Sequence, residues 1–108
     1  MPSYVQVLTT IDSREAAERV ARAVVEVRAA ACAQLVGPIS STYWWEGSIE
    51  TAEEWQILMK TTEERFPALE AAIRQAHSYD VPEIIVTPIT NGGKDYLSWV
   101  SKETQSAS

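Results

Sequence analysis

The chain has 108 residues, 45% of them hydrophobic and 22% charged, an ordinary balance for one soluble domain that closes a core without disulfide or metal staples. Nine basic against fifteen acidic residues leave a formal net charge of −6, which argues against nucleic acid or an anionic membrane as the main partner, because phosphate binding needs a concentrated cationic surface. No stretch approaches the roughly 18 apolar residues of a membrane span, no secretory pattern opens the chain, and the single cysteine, Cys32, has no internal partner, so a cytoplasmic, reducing location is expected.

Tyr4 to Ile11 is rich in β-branched residues and apolar on both parities, with Tyr4 and Leu8 on one and Val5, Val7 and Ile11 on the other. That pattern predicts a strand covered on both faces. Asp12 is the expected cap of a first helix, with Glu15 completing a capping-box arrangement. Val20, Ala21, Val24 and Val25 give its inner stripe, and Glu15/Arg19, Glu18/Arg22 and Arg22/Glu26 fall at i,i+4 on the wet side.

From about Ala29 the chain reads as the first arm of a long β-hairpin that turns at Glu46-Gly47-Ser48 and returns through Thr62. Each arm would run about 14 residues and about 45 Å at roughly 3.3 Å per residue, far beyond a usual strand. Gly37-Pro38 predicts a bulge or bend in the first arm, since proline removes a ladder donor. Trp44, Trp45 and Trp55 all lie on this ribbon, and a domain of this size has no body behind it to cover the tip.

Thr61 and Thr62 are the expected N-caps of a second helix with an inner stripe of Phe66, Leu69, Ile73 and Ala76, and Pro67 is tolerated only in its first turn. His77 to Pro82 is a loop by composition. Glu83 to Thr90 is a fourth strand that Pro88 assigns to an edge, and Asp95 to Lys102 is a short helix with Tyr96, Trp99 and Val100 on one side. Residues 103–108 are polar and expected to fray.

The fold class is therefore α+β: a ferredoxin-like split βαβ sandwich, βαββαβ plus a C-terminal helix, in a single domain over residues 1–108. Two helices cover one sheet face, yet the first and fourth strands are apolar on both. The opposite face needs a cover as well, and self-association with closed symmetry supplies it most simply. By itself the pattern implies only that the protein is not a monomer.

Ala30-Ala31-Cys32-Ala33, Ser41 through Glu50 (STYWWEGSIE), Lys60-Thr61-Thr62, Phe66-Pro67-Ala68-Leu69, His77 through Ile84 (HSYDVPEI) and Tyr96-Leu97-Ser98-Trp99 run in register over nearly the whole chain. Together these blocks resemble the CutA family of divalent-cation tolerance proteins. The resemblance implies a ferredoxin-like fold, a homotrimer in which each long hairpin meets a neighbour, and a role in tolerance to divalent metals, copper above all. It implies no catalytic reaction and no required cofactor. Where some copper-binding relatives carry a cysteine and an additional histidine, this chain has Thr9 and Ala76.

His77, the only histidine, is the candidate metal ligand, with Glu83 as carboxylate partner for Cu(II) or another divalent ion; the bland alternative is a helix-end histidine bonding a terminal carbonyl. Cys32, flanked by alanines, reads as core packing rather than as a ligand. Lys60, Glu54 and Tyr79, with Trp45 and Trp99, are candidates to line a cleft between subunits that takes an anion or metabolite, as in trimeric PII-type sensors; a structural ion pair and interface packing are the alternatives. No phosphate loop, nucleophile elbow or HExxH motif is present, so the expectation is a protein that is not an enzyme.

Overall fold

In a computed structural model, which describes residues 3–105, the chain forms β1 (Tyr4–Ile11), α1 (Arg14–Glu26), β2 (Cys32–Trp45), β3 (Ser48–Thr62), α2 (Phe66–Ala76), β4 (Ile85–Ile89) and α3 (Lys94–Glu103). The strands make one antiparallel sheet in the order β2-β3-β1-β4, the split βαβ arrangement with β1 and β3 central. Pro88 sits on the edge strand, where its missing N–H faces no partner.

Register decides which face each residue serves. Val5, Val7, Thr9 and Ile11 pair with Thr61, Met59, Ile57 and Trp55, and this row meets the helices. Val7, Ile57 and Met59 are fully buried beneath Ala17, Val20 and Val24 of α1 and Leu69 and Ile73 of α2. The intervening positions, Tyr4, Gln6, Leu8 and Thr10 against Thr62, Lys60, Leu58 and Gln56, form the second face.

Several boundaries differ from the sequence expectation for local reasons. Ser13, not Asp12, caps α1, because its hydroxyl is the one that accepts the Ala16 N–H at 3.1 Å. Of the three i,i+4 pairs only Arg22–Glu26 forms, at 2.7 Å. Thr62 accepts from the Arg65 N–H and so caps the turn before α2, which itself starts after Arg65 with Pro67 in its first turn. Ala76 is exposed and Ala72 takes the inner position instead. β4 begins at Ile85, not Glu83. At the C-terminus Glu103 belongs to α3 and Thr104 is buried with its hydroxyl on the Val100 carbonyl, so fraying does not begin at 103; residues 106–108 lie outside the described part.

The hairpin is as long as the sequence implies. Trp45 pairs with Ser48 across a two-residue turn in which Glu46 and Gly47 both have positive φ, the twist a tight hairpin requires. The register shifts between Val36 and Ile39, as Gly37-Pro38 predicts, and the inserted residues reverse which parity faces the helices. Hence Trp44 and Ile49 share one face of the outer ribbon while Tyr43 and Trp45 share the other. Trp44 is 72% exposed, Ile49 61% and Trp45 60%. The molecule is 45 Å long, and its radius of gyration of 14.5 Å exceeds the about 13 Å of a compact chain this size.

α3 has a place that the alternation did not reveal. It lies against the second face, where the Tyr4 hydroxyl meets Ser101 Oγ at 2.6 Å and the Tyr96 hydroxyl meets Cys32 Sγ at 3.4 Å. Cys32 is therefore half-buried beneath α3 instead of packed in the helix-facing core. Beyond α3 the same face still presents Val36 and Ile85, 44% and 49% exposed, beside partly covered Leu8 and Leu58.

Candidate functional site

Four of the residues singled out in the sequence converge where α2 ends. His77 follows the last turn of α2, donating its backbone N–H to the Ile73 carbonyl at 2.9 Å, and extended backbone there swings the chain back across β1. The residue is 9% exposed. Nε2 lies 2.7 Å from the Thr10 carbonyl, and Nδ1 accepts the Tyr79 N–H at 3.1 Å. A carbonyl only accepts, so Nε2 carries the proton and Nδ1 supplies the lone pair; both nitrogens of the neutral ring are in use.

Thr10 is the hub that sequence reasoning missed. Its carbonyl takes the imidazole while its hydroxyl donates to Glu83 Oε1 at 3.2 Å, so one strand residue holds both candidate metal ligands in place. The available signal was the adjacent polar pair Thr9-Thr10 in a mostly apolar strand. The Tyr79 ring packs against the His77 ring at a 60° tilt with centroids 4.7 Å apart, and its hydroxyl donates to Glu54 Oε2 at 2.9 Å. Burial, then the hydrogen bond to Glu54 and its charge, raise the Tyr79 phenol well above its ordinary value. The whole cluster ties the loop after α2 to the base of the ribbon.

The remaining candidates lie elsewhere in the chain. Lys60 is six positions from Glu54 along β3, about 20 Å at roughly 3.3 Å per residue, and its ammonium donates to Gln34 Oε1 at 2.7 Å. Trp45 stands at the ribbon tip, a similar distance from Glu54 in the other direction. Trp99 is on α3, stacked on Tyr96 with centroids 5.6 Å apart. A single chain thus brings His77, Tyr79, Glu83 and Glu54 together and leaves Lys60, Trp45 and Trp99 apart. Among the described residues no group of three or more His, Cys, Asp or Glu side chains is placed to hold a metal ion.

Chemically, the cluster is a closed polar network: one neutral imidazole, one threonine, one tyrosine and two carboxylates. Glu83 and Glu54 each use one oxygen within it. An ion binding at His77 has to displace the Tyr79 N–H from Nδ1, which weakens coordination by the worth of that bond.

Comparison with known proteins places this geometry in a family. Residues 5–103 match the family described as CutA1 divalent ion tolerance protein. The chain is 41% identical over 98 residues to the divalent-cation tolerance protein CutA of Thermus thermophilus, covering 91% of this chain and 95% of that one. It is 39% identical over 105 residues to a rice protein, Protein CutA 1, chloroplastic, of which it spans 59% while 97% of this chain is covered. A solved structure, the periplasmic divalent cation tolerance protein CutA from Archaeoglobus fulgidus, superposes with a TM-score of 0.91 at 36% identity, covering 94% of this chain and 99% of that one. Within the described residues no helix is long and apolar enough to cross a membrane.

Proposed function

The chain belongs to the CutA1 family of divalent ion tolerance proteins, and from that premise we propose that it acts in divalent-cation tolerance as a homotrimer, binding copper or another divalent ion weakly and catalysing nothing. The observation that carries the reading is the pairing of two uncovered surfaces on one small chain. A sheet face with Val36 and Ile85 exposed lies beside a ribbon whose Trp44, Trp45 and Ile49 are mostly in water. Apolar surface of that extent favours association with further copies, and both edge strands, β2 and β4, offer unpaired backbone for it.

Weak metal binding is assigned to His77 and Glu83, a reading supported by the hydrogen bond each makes to Thr10. The free oxygen of Glu83 and a displaced Nδ1 are the donors, and further ligands come from solvent or a second copy. Calorimetry with Cu(II) and Zn(II) on the assembled protein tests it: His77→Ala should weaken binding about tenfold or more, the cost of losing one of few ligands. Equal affinity in the variant would remove His77 from the site. A cytoplasmic location is part of the proposal, supported by the lone free cysteine, and fractionation of the source cells checks it.

A second reading, a PII-like sensor or adaptor taking an anion or metabolite between subunits, is favoured by Lys60. Its ammonium rests on a neutral amide, and among the described residues it makes no ion pair on the face that assembly would cover. Retention of a bound organic anion by the native assembly, lost in Lys60→Met, would support that reading over the first.

A further inference from the structure

One groove lies apart from both the His77 cluster and Lys60. It runs between the ends of β1 and β4 and one face of α3, with a volume of about 970 Å³, in the range of small-ligand sites. Lys94, Leu97, Ser98, Ser101 and Lys102 recur at helical spacing along that face of α3, and Ile89 lies opposite. A second groove of about 450 Å³ continues it, sharing Ser3, Ser101 and Gln105, and brings Arg65 to its wall.

We propose that this trough is a binding site for a small organic oxyanion, a phosphate monoester or carboxylate attached to an apolar body. Charge comes first. The chain has only three lysines, and two of them face this groove. Every ion pair among the described residues is made by an arginine: Arg22–Glu26, Arg28–Glu103 and Arg74–Glu70. Lys94 and Lys102 make no ion pair among the described residues, in a chain of net charge −6, and Glu63 and Glu64 are the acids on the two walls.

Hydrogen bonding points the same way. Arg65 Nη2 is committed to the Val27 and Arg28 carbonyls, while its Nε is buried and has no partner among the described residues. Arg65 on the wall of the second groove adds a third cation to the two lysines, and an oxyanion is the acceptor that three cations and a row of serine hydroxyls fit together. Lys94 and Lys102 are eight positions apart, about 12 Å along the helix, so a bare inorganic ion would meet only one of them. The apolar stretch between them, Leu97 against Ile89 and Pro88, takes the body of the ligand.

The site is separate from Lys60, which lies on the sheet face under Gln34. Calorimetry on the assembled protein with phenyl phosphate, phenylacetate and inorganic phosphate tests it. Expected is salt-sensitive binding of at least one aromatic probe, tighter than inorganic phosphate, weakened about tenfold or more in Lys94→Met/Lys102→Met and unchanged in Lys60→Met. Tighter phenyl phosphate identifies a phosphate ligand, and tighter phenylacetate a carboxylate. Ser98→Trp, which fills the groove without altering charge, should abolish binding and serves if the double variant fails to fold. No heat with any probe at millimolar concentration, binding that persists in both groove variants, or loss confined to Lys60→Met would overturn the proposal.

Discussion

His77 shows how one side chain is fixed by its neighbours' backbone. With Nε2 on the Thr10 carbonyl and Nδ1 receiving the Tyr79 N–H, the ring joins three segments: β1, the end of α2 and the following loop. His77→Ala leaves a buried carbonyl and an amide without partners, and urea unfolding should register a loss of about 2 kcal/mol, within the usual cost of stranded polar groups. Tyr96 makes a pH prediction. The hydrogen bond to Cys32, then burial, then the thiol's charge, push its phenol from 10.0 up to about 12. A raised acid is one that the folded state keeps protonated. In the unfolded chain Tyr96 ionises from its ordinary value, so its contribution to stability is intact below pH 10 and is lost as pH rises to about 12. Tyr79, also raised, acts with the same sign. Unfolding curves across that alkaline window should slope downward, and less steeply in Tyr96→Phe.

At the scale of elements, the caps and the bulge carry most of what can be tested. Ser13→Ala should cost about 1 kcal/mol of thermal stability, and Asp12→Ala much less, because only the Ser13 hydroxyl meets an α1 amide. The bulge in β2 depends on Gly37 for space. A Cβ there would stand 2.6 Å from the Trp55 ring, which is itself held between the ribbon and Arg14, whose guanidinium lies 5.7 Å from the ring centroid. Gly37→Ala should therefore destabilise by roughly 1–3 kcal/mol, as overpacking does, and should perturb Trp55 fluorescence. Arg65 links elements differently, closing the C-terminal end of α1 through the Val27 and Arg28 carbonyls while starting α2.

For the molecule as a whole, the second sheet face decides behaviour in solution. Leu58 occupies the middle of that face, paired with Leu8 on one side and Gln34 on the other. In the proposed trimer it is covered, so Leu58→Glu places a charge where copies meet. Sedimentation equilibrium should give three times the 12.0 kDa chain for the parent and a mass falling toward one chain for the variant. A parent that sediments as a single chain at micromolar concentration would end the assembly reading, and with it any site shared between copies.

The order of elements, the long hairpin, its bulge and the edge position of β4 were all legible in the sequence. They follow from alternation, β-branching and the backbone limits of Gly37, Pro38, Gly47 and Pro88, which act over a few residues. Family membership was legible too, in the blocks around Trp44, Lys60 and His77. What lay beyond it was decided by contacts between residues distant in the chain. Thr10 meets His77 and Glu83, Arg65 meets Val27, and α3 folds over Cys32 and Tyr4, at separations no local pattern encodes. The same distance rule separated Lys60 from Glu54 along β3, because a strand fixes spacing rigidly, and aligned Lys94 with Lys102 beside a groove, because a helix places such residues along one side. Periodicity gives the face a residue turns to; only the packed chain gives the partner it finds there.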